Sequence, residues 1–212
     1  MTLPLFETEP RQCLGPGAWL LRGFAEHDAV SLLDGLHAVV AAAPLRNMVT
    51  PGGQRMSVAM SNCGALGWVS DRRGYRYASH DPERGLRWPL MPAGFLSLAG
   101  RAADAAGFAD FVPDACLINR YSAGHKLSLH QDKDERDFSQ PIVSVSLGIP
   151  AVFLFGGVAR QDQARALAVT HGDVVVWGGP SRLNYHGVVA LRPDRHALTA
   201  DYRFNLTFRK AG

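Results

Sequence analysis

"RFNLTFR", residues 203–209, alternates without a break. Phe204, Leu206 and Phe208 take one set of positions, and Arg203, Asn205, Thr207 and Arg209 take the other. A period of two marks a β-strand, whose successive side chains leave on opposite faces. One face of this strand is apolar and belongs against a core. The other carries two guanidiniums, an amide and a hydroxyl. Such a face suits water at the rim of a sheet. It equally suits a small dicarboxylate, because a guanidinium grips a carboxylate in a bidentate fork.

The same character runs upstream to about residue 114. "ACLINRY", "KLSLHQD", "PIVSVSLG", "AVFLFGG", "ALAVTHGDVVVWGG" and "RLNYHGV" follow one another, separated by short Gly, Pro and Asp turns. Short alternating strands in such a series imply a sandwich or barrel. In "LINRY", Asn119 and Tyr121 repeat the polar alternation of 203–209 and are candidates for the same ligand. The N-terminal part reads differently. "DAVSLLDGLHAVVAAA" places Val30, Leu33, Leu36 or His37, and Val40 at helical spacing, and Pro44 stops it. "AGFLSLAGRAADAAGF" places Phe95, Leu98, Ala99, Ala102 and Ala106 on a second stripe, ended by Gly107. Between the helices, residues 45–92 read as long loops apart from one strand, "MSVAMSN". The expectation is an α+β chain of one domain with helices flanking a β-rich half.

Composition narrows the function classes. The chain has 212 residues, is 47% hydrophobic and carries a net charge of +3, which permits a polyanionic partner without demanding one. No apolar run approaches the roughly 20 residues that cross a bilayer. "MTLPLFETEPRQC" shows no secretory signal, and Cys13, Cys63 and Cys116 form no paired motif. A cytoplasmic protein without a membrane partner, without a cysteine zinc site and with no separate oligomerisation stripe, hence a monomer, is expected.

"SLHQDKDERD", residues 128–137, holds four acidic residues and one histidine. Acidic clusters are commonly solvated surface. On a strand, however, His130 and Asp132 point the same way, and His186 in "RLNYHGV" is a candidate third ligand. Two histidines and a carboxylate on one face of a metal leave positions open, as in non-haem Fe(II) oxygenases. His27, His37, His80, His125, His171 and His196 read as structural or surface residues.

The motifs "MVTPGG", "MSVAMSNCG", "GYRYAS", "PDACLINRY", "KLSLHQDKDE", "PIVSVSLG", "HGDVVVWGG", "SRLNYHG" and "YRFNLTFR" together give the chain a strong resemblance to AlkB-type, Fe(II)- and 2-oxoglutarate-dependent dioxygenases of the bacterial alkylation-repair group. The resemblance covers nearly the whole chain. It implies a double-stranded β-helix (jelly-roll) core at 114–212, a supporting helix at 93–113, a nucleotide-recognition lid at 45–92, and an N-terminal extension and helix at 1–44. It implies Fe(II) held by His130, Asp132 and His186. It implies 2-oxoglutarate held by Asn119, Tyr121, Arg203, Asn205 and Arg209, with Arg203 on the distal carboxylate and Arg209 on the near one, and O2 as cosubstrate. It also implies a base pocket lined by Trp68, Tyr75, Asp134 and Arg160.

The implied reaction is oxidative demethylation of 1-methyladenine and 3-methylcytosine, with 2-oxoglutarate going to succinate and CO2 and the methyl leaving as formaldehyde. The implied substrate is alkylated DNA, single-stranded for preference, with double-stranded DNA and RNA as further candidates. A methyl on a Watson–Crick nitrogen is unreachable inside a duplex, so the base must be flipped out or unpaired. "SDRRGYRYASHDPERGLRW" interleaves five arginines with aromatics, which suits phosphate contacts plus base stacking; Arg72, Arg73 and Arg76 are the candidates. Asp134 is placed to accept from an exocyclic amine, while Lys133, Glu135 and Asp137 are expected in solvent.

Overall fold

The computed structural model describes residues 9–212, so the first eight residues of the N-terminal extension lie outside the described residues. In chain order the elements are β1 (Arg11–Gly15), β2 (Ala18–Leu21), α1 (Ala29–Ala42), β3 (Ala59–Gly64), β4 (Gly67–Asp71), β5 (Gly74–Ala78), α2 (Ala93–Ala105) and β6 (Ala115–Tyr121). There follow β7 (Leu127–His130), β8 (Ile142–Gly148), β9 (Ala151–Phe155), β10 (Arg165–Val169), β11 (Val174–Trp177), a 3₁₀ turn (Gly179–Ser181), β12 (His186–Val188) and β13 (Arg203–Arg209). Strands pair antiparallel into a seven-stranded sheet of order β1-β2-β11-β8-β13-β6-β3, a four-stranded sheet β10-β9-β12-β7, and a separate hairpin β4-β5. The two larger sheets form the jelly roll. Among the described residues no helix is long and apolar enough to cross a membrane.

Alternation along the strands sorts side chains between two apolar layers. On β11, Val174 and Val176 face the helices, whereas Val175 and Trp177 face the space between the sheets. On β13, Phe204, Leu206 and Phe208 join the helix-side core. The opposite face of β13 is not at a rim. β6 and β8 flank it, and all seven of its residues are buried, including both arginines. The polar face therefore looks inward, where only a lined cavity can accommodate it.

Three readings change. The buried face of α1 is Ala29, Leu32, Leu33, Leu36 and Val39, and Val30 is 61% exposed. Alanines shared between both faces blurred the stripe, which is turned by about one residue. The edge hairpin β1-β2 was not foreseen, because "RQCLGPGAWLL" lacks clean alternation. Residues 45–92 are less loop-like than expected. β3 pairs with β6 and so belongs to the large sheet, and "GWVSDRRGYRYA" folds as the β4-β5 hairpin. The Arg72-Arg73 tip is not a standard hairpin turn signal. The tip is closed by Arg76, which binds both oxygens of Asp71 at 2.9 and 2.7 Å. That hydrogen bonding, with the Arg73 amide, brings the Asp71 carboxyl down to about 2.

The hairpin has two working faces. Val69 packs with Trp88 and Ala43, Ala78 lies against them, and the Trp88 indole donates to the Ala78 carbonyl at 2.8 Å. Trp68, Tyr75 and Tyr77 occupy the other face, Trp68 being directly opposite Tyr77. Gly67 is what lets Trp88 approach: a Cβ there would lie only 2.4 Å from the indole Cε2 and 2.5 Å from Nε1. Gly67→Ala is expected to cost about 1–3 kcal/mol by overpacking, read as a lower denaturant midpoint with an unchanged slope.

Candidate active site

The edges of β7 and β12 bring two histidines together. His130 and His186 are direct cross-strand partners, their rings 4.4 Å apart. Asp132 arrives differently from the expectation of a continuous strand: β7 ends at His130, and Asp132 lies in the following loop. The three side chains still converge, each offering a ligand atom within 4.8 Å of the others. Asp132 Oδ1 lies 3.6 Å from His130 Nε2, and Oδ2 lies 3.6 Å from His186 Nε2.

Main-chain contacts fix both imidazoles. His130 Nδ1 meets the Ser128 carbonyl at 2.9 Å and His186 Nδ1 meets the Asn184 carbonyl at 3.0 Å. A carbonyl only accepts, so each Nδ1 carries a proton and each Nε2 is turned toward Asp132 at the centre. Burial, and then the neighbouring His130, push His186 down to about 4, so its ring is neutral at physiological pH. Burial alone would raise the Asp132 carboxyl, but the Arg209 guanidinium, His186 and His130 outweigh it and hold it ionised, well below the usual carboxylate range. Two imidazoles and one carboxylate are the donor set that suits Fe(II) with positions left open.

A cavity of about 640 Å³ spreads from this centre and is lined by every site residue named from the sequence. On one side Arg203 is 2% exposed, with Nε and one terminal nitrogen unpaired and the other donating to Ser146 Oγ at 2.9 Å. Burial lowers its pKa, with Tyr121 opposing, and its guanidinium lies 5.1 Å from the Tyr121 ring. The Asn119 amide oxygen is also buried without a partner. A buried cation with free N–H groups suits a carboxylate, since leaving such donors unmatched costs several kcal/mol; the Asn119 oxygen is an acceptor and adds nothing to that match. Asn205 lines the same wall, but its amide is engaged: it donates to Ser144 Oγ and the Val145 carbonyl and accepts from Thr207. Arg209 is likewise engaged, binding Asp132 Oδ2 at 2.6 Å and Glu135 Oε1 at 3.2 Å.

On the other side stand the hairpin aromatics. Trp68 and Tyr75 stack, centroids 5.6 Å apart and planes 13° apart. The Trp68 indole donates to Asp134 Oδ2 at 2.8 Å. Arg160 lies over the Tyr185 ring at 5.8 Å. Arg72 and Arg73 are exposed at the tip, whereas Arg76 is taken up by Asp71.

Lys133 and Asp137 are exposed as expected; Glu135 is not. It is buried, accepts from the Tyr77 phenol at 2.8 Å and meets Arg182 at 3.1 Å. Position parity put Glu135 on the solvent side of an imagined strand, and the loop that replaces that strand turns it inward. Tyr77, Arg182 and Trp177 were missed altogether. The one available signal was Tyr77 sharing a strand face with Tyr75.

The family model of the 2OG-Fe(II) oxygenase superfamily matches residues 17–209. The chain is 57% identical over 211 residues to the alpha-ketoglutarate-dependent dioxygenase AlkB of Salmonella typhimurium, covering 99% of this chain and 98% of that one. It is 39% identical over 129 residues to the human nucleic acid dioxygenase ALKBH1, covering 61% of this chain and 33% of that protein. The solved structure of OsALKBH1 superposes with a TM-score of 0.84 at 31% identity, over 95% of this chain and 100% of that one. The chain belongs to the 2OG-Fe(II) oxygenase superfamily and, within it, to the AlkB-type alpha-ketoglutarate-dependent dioxygenases. It is an enzyme that uses Fe(II) and 2-oxoglutarate.

Removing one partner of a buried ion pair weakens the burial of the other. Arg182→Ala is therefore expected to cost about 1–3 kcal/mol, measured by urea unfolding, because Glu135 loses one cation but keeps Arg209 and the Tyr77 phenol.

Proposed function

We propose that this dioxygenase removes methyl groups oxidatively from ring nitrogens of nucleobases, 1-methyladenine and 3-methylcytosine, in DNA, single-stranded for preference, and in RNA. Its role would be direct reversal of alkylation damage. The observation that carries this reading is a single cavity joining the His130–Asp132–His186 cluster, the partly unpaired Arg203 and the Trp68–Tyr75–Asp134 wall. The nucleic-acid dioxygenase name borne by human ALKBH1 points the same way.

In this reading His130, Asp132 and His186 would hold Fe(II). Arg203, Asn119 and Tyr121 would hold the distal carboxylate of 2-oxoglutarate, with Arg209 and Asn205 completing that wall. Bound together, the metal and 2-oxoglutarate supply the oxidising power that hydroxylates the N-methyl carbon. The remaining work falls to the chain. Trp68 and Tyr75 separate to stack an unpaired base. Asp134 exchanges the Trp68 indole for the exocyclic amine of adenine or cytosine, and its charge favours the cationic methylated ring. Arg160 lines the base pocket, and the exposed Arg72 and Arg73 meet phosphates. The apolar lining from Met60, Leu117, Phe153 and Trp177 keeps water scarce around the reacting carbon.

Aerobic incubation of a single-stranded oligonucleotide bearing one 1-methyladenine, with Fe(II), ascorbate and 2-oxoglutarate, is expected to show methyl loss by mass spectrometry that requires 2-oxoglutarate. Succinate formation without methyl loss would sink the substrate reading and leave the oxygenase. Asp132→Ala is expected to abolish turnover while circular dichroism stays native; retained activity would refute its role as a ligand. Base stacking contributes about 1–3 kcal/mol, so Trp68→Ala should lower kcat/KM by about 5- to 150-fold.

A further inference from the structure

Glu135 and Tyr77 have no part in the roles assigned above, yet they join two halves of the site. β5 carries Tyr75 and Tyr77 two residues apart and so on one face. Tyr75 lines the cavity, and Tyr77 reaches instead to Glu135, donating to Oε1 at 2.8 Å. The same oxygen meets Arg209 Nε at 3.2 Å, while Oε2 meets Arg182 at 3.1 Å. Arg209 then grips Asp132 Oδ2 through two nitrogens, at 3.0 and 2.6 Å. Arg182 adds a bond to the Asp132 backbone carbonyl at 2.8 Å. Three side-chain contacts thus separate the base-facing hairpin from the carboxylate of the metal cluster.

We propose that Tyr77 and Glu135 are positioning residues that set the aim of Asp132, and so tie metal affinity to the seating of the hairpin. This rests on the reading of Asp132 as an iron ligand. A carboxylate has two oxygens, and Arg209 makes its bonds to Oδ2, leaving Oδ1 beside His130 Nε2 for the metal. The place of the Arg209 guanidinium is fixed by a second carboxylate, Glu135, on its other side. The place of Glu135 is fixed in turn by the Tyr77 phenol and by Arg182. Glu135 holds Arg209 and Arg182 by charge rather than by directed hydrogen bonds, since the Arg209 Nε proton goes to Asp132 and Glu135 Oε2 has no hydrogen-bond partner. In a buried setting of low dielectric such charges act strongly on one another, so displacement of one member is felt along the chain. The hairpin is therefore moored at two adjacent residues with different fates. The Trp68–Asp134 bond involves an exposed carboxylate that an entering base can claim. The Tyr77–Glu135 bond involves a buried one that no ligand in the cavity competes for.

The test is Co(II) titration of the full chain, followed by the d–d absorption of the bound ion, for the wild type, Tyr77→Phe, Glu135→Gln and the double variant. Outer partners of metal ligands typically carry about 10–100-fold in metal affinity. Glu135→Gln is expected to weaken Co(II) binding by about tenfold or more, and Tyr77→Phe several-fold. In the Glu135→Gln background, Tyr77→Phe should cost nothing further. Equal affinities in all four proteins overturn the inference and leave the ligand assignment standing. A Tyr77→Phe loss of the same size in both backgrounds also overturns it, because the effect then bypasses Glu135. Failure of the wild type to bind Co(II), or Asp132→Ala binding it as tightly as wild type, overturns the ligand reading instead. Should Glu135→Gln fail to fold by thermal melt, Tyr77→Phe alone decides, and an unchanged Co(II) affinity counts against the proposal.

Discussion

Arg209 and Asp132 meet at 2.6 Å between the sheets, and each makes the burial of the other tolerable. A lone carboxylate in that position would take up a proton, and a lone guanidinium would pull water into the core. Together they keep Asp132 ionised beside the neutral, buried His186. Glu135 and Arg182 extend the arrangement so that the buried charges alternate: Asp132, Arg209, Glu135, Arg182. The cavity is possible because these charges answer one another.

The jelly roll supplies the positions that the network needs. β13 lies between β6 and β8, so its polar face has nowhere to go but inward. Arg203 ends up at one end of the strand and Arg209 at the other, on one face, with Asn205 and Thr207 bonded to each other between them. The opposing sheet contributes both histidines from a single cross-strand pair. The hairpin β4-β5 closes the third side, held from behind by Trp88 and in front by the adjacent carboxylates Asp134 and Glu135. Arg203 is the member left without full compensation, with Nε and one terminal nitrogen unpaired.

Where a strand alternates cleanly, as in 203–209 or 142–148, period two was enough to assign it, and the polar face of 203–209 was visible as either a solvated edge or a candidate anion site. Which way that polar face pointed was not visible, because flanking by β6 and β8 is a matter of long-range pairing. Alternation failed at "HQDKDE". Parity treats it as strand, whereas the chain leaves the sheet at His130, and Glu135 turns in to meet Tyr77 from 58 positions away. The β4-β5 hairpin was hidden for a related reason. An Arg-Arg tip carries no turn preference, and its closure depends on Asp71, which accepts from the Arg73 amide and pairs with Arg76, and on the positive φ of Gly74. The motif resemblance located the cluster and the pocket walls; it did not foretell that Asn205 and Arg209 are bonded to their own protein.

The protons on His130 and His186 are held by peptide carbonyls two residues upstream, at Ser128 and Asn184. The tautomer of each ring is thus written into the main chain. Side chains at 128 and 184 are free to drift over evolutionary time, since any residue brings a carbonyl. Chain length there is not free. One residue inserted or deleted within 128–130 or 184–186 would shift the carbonyl out of reach of its ring and leave the donor nitrogen undefined. In this part of the molecule, indels should be rejected far more severely than point substitutions, a pattern opposite to that of ordinary surface loops.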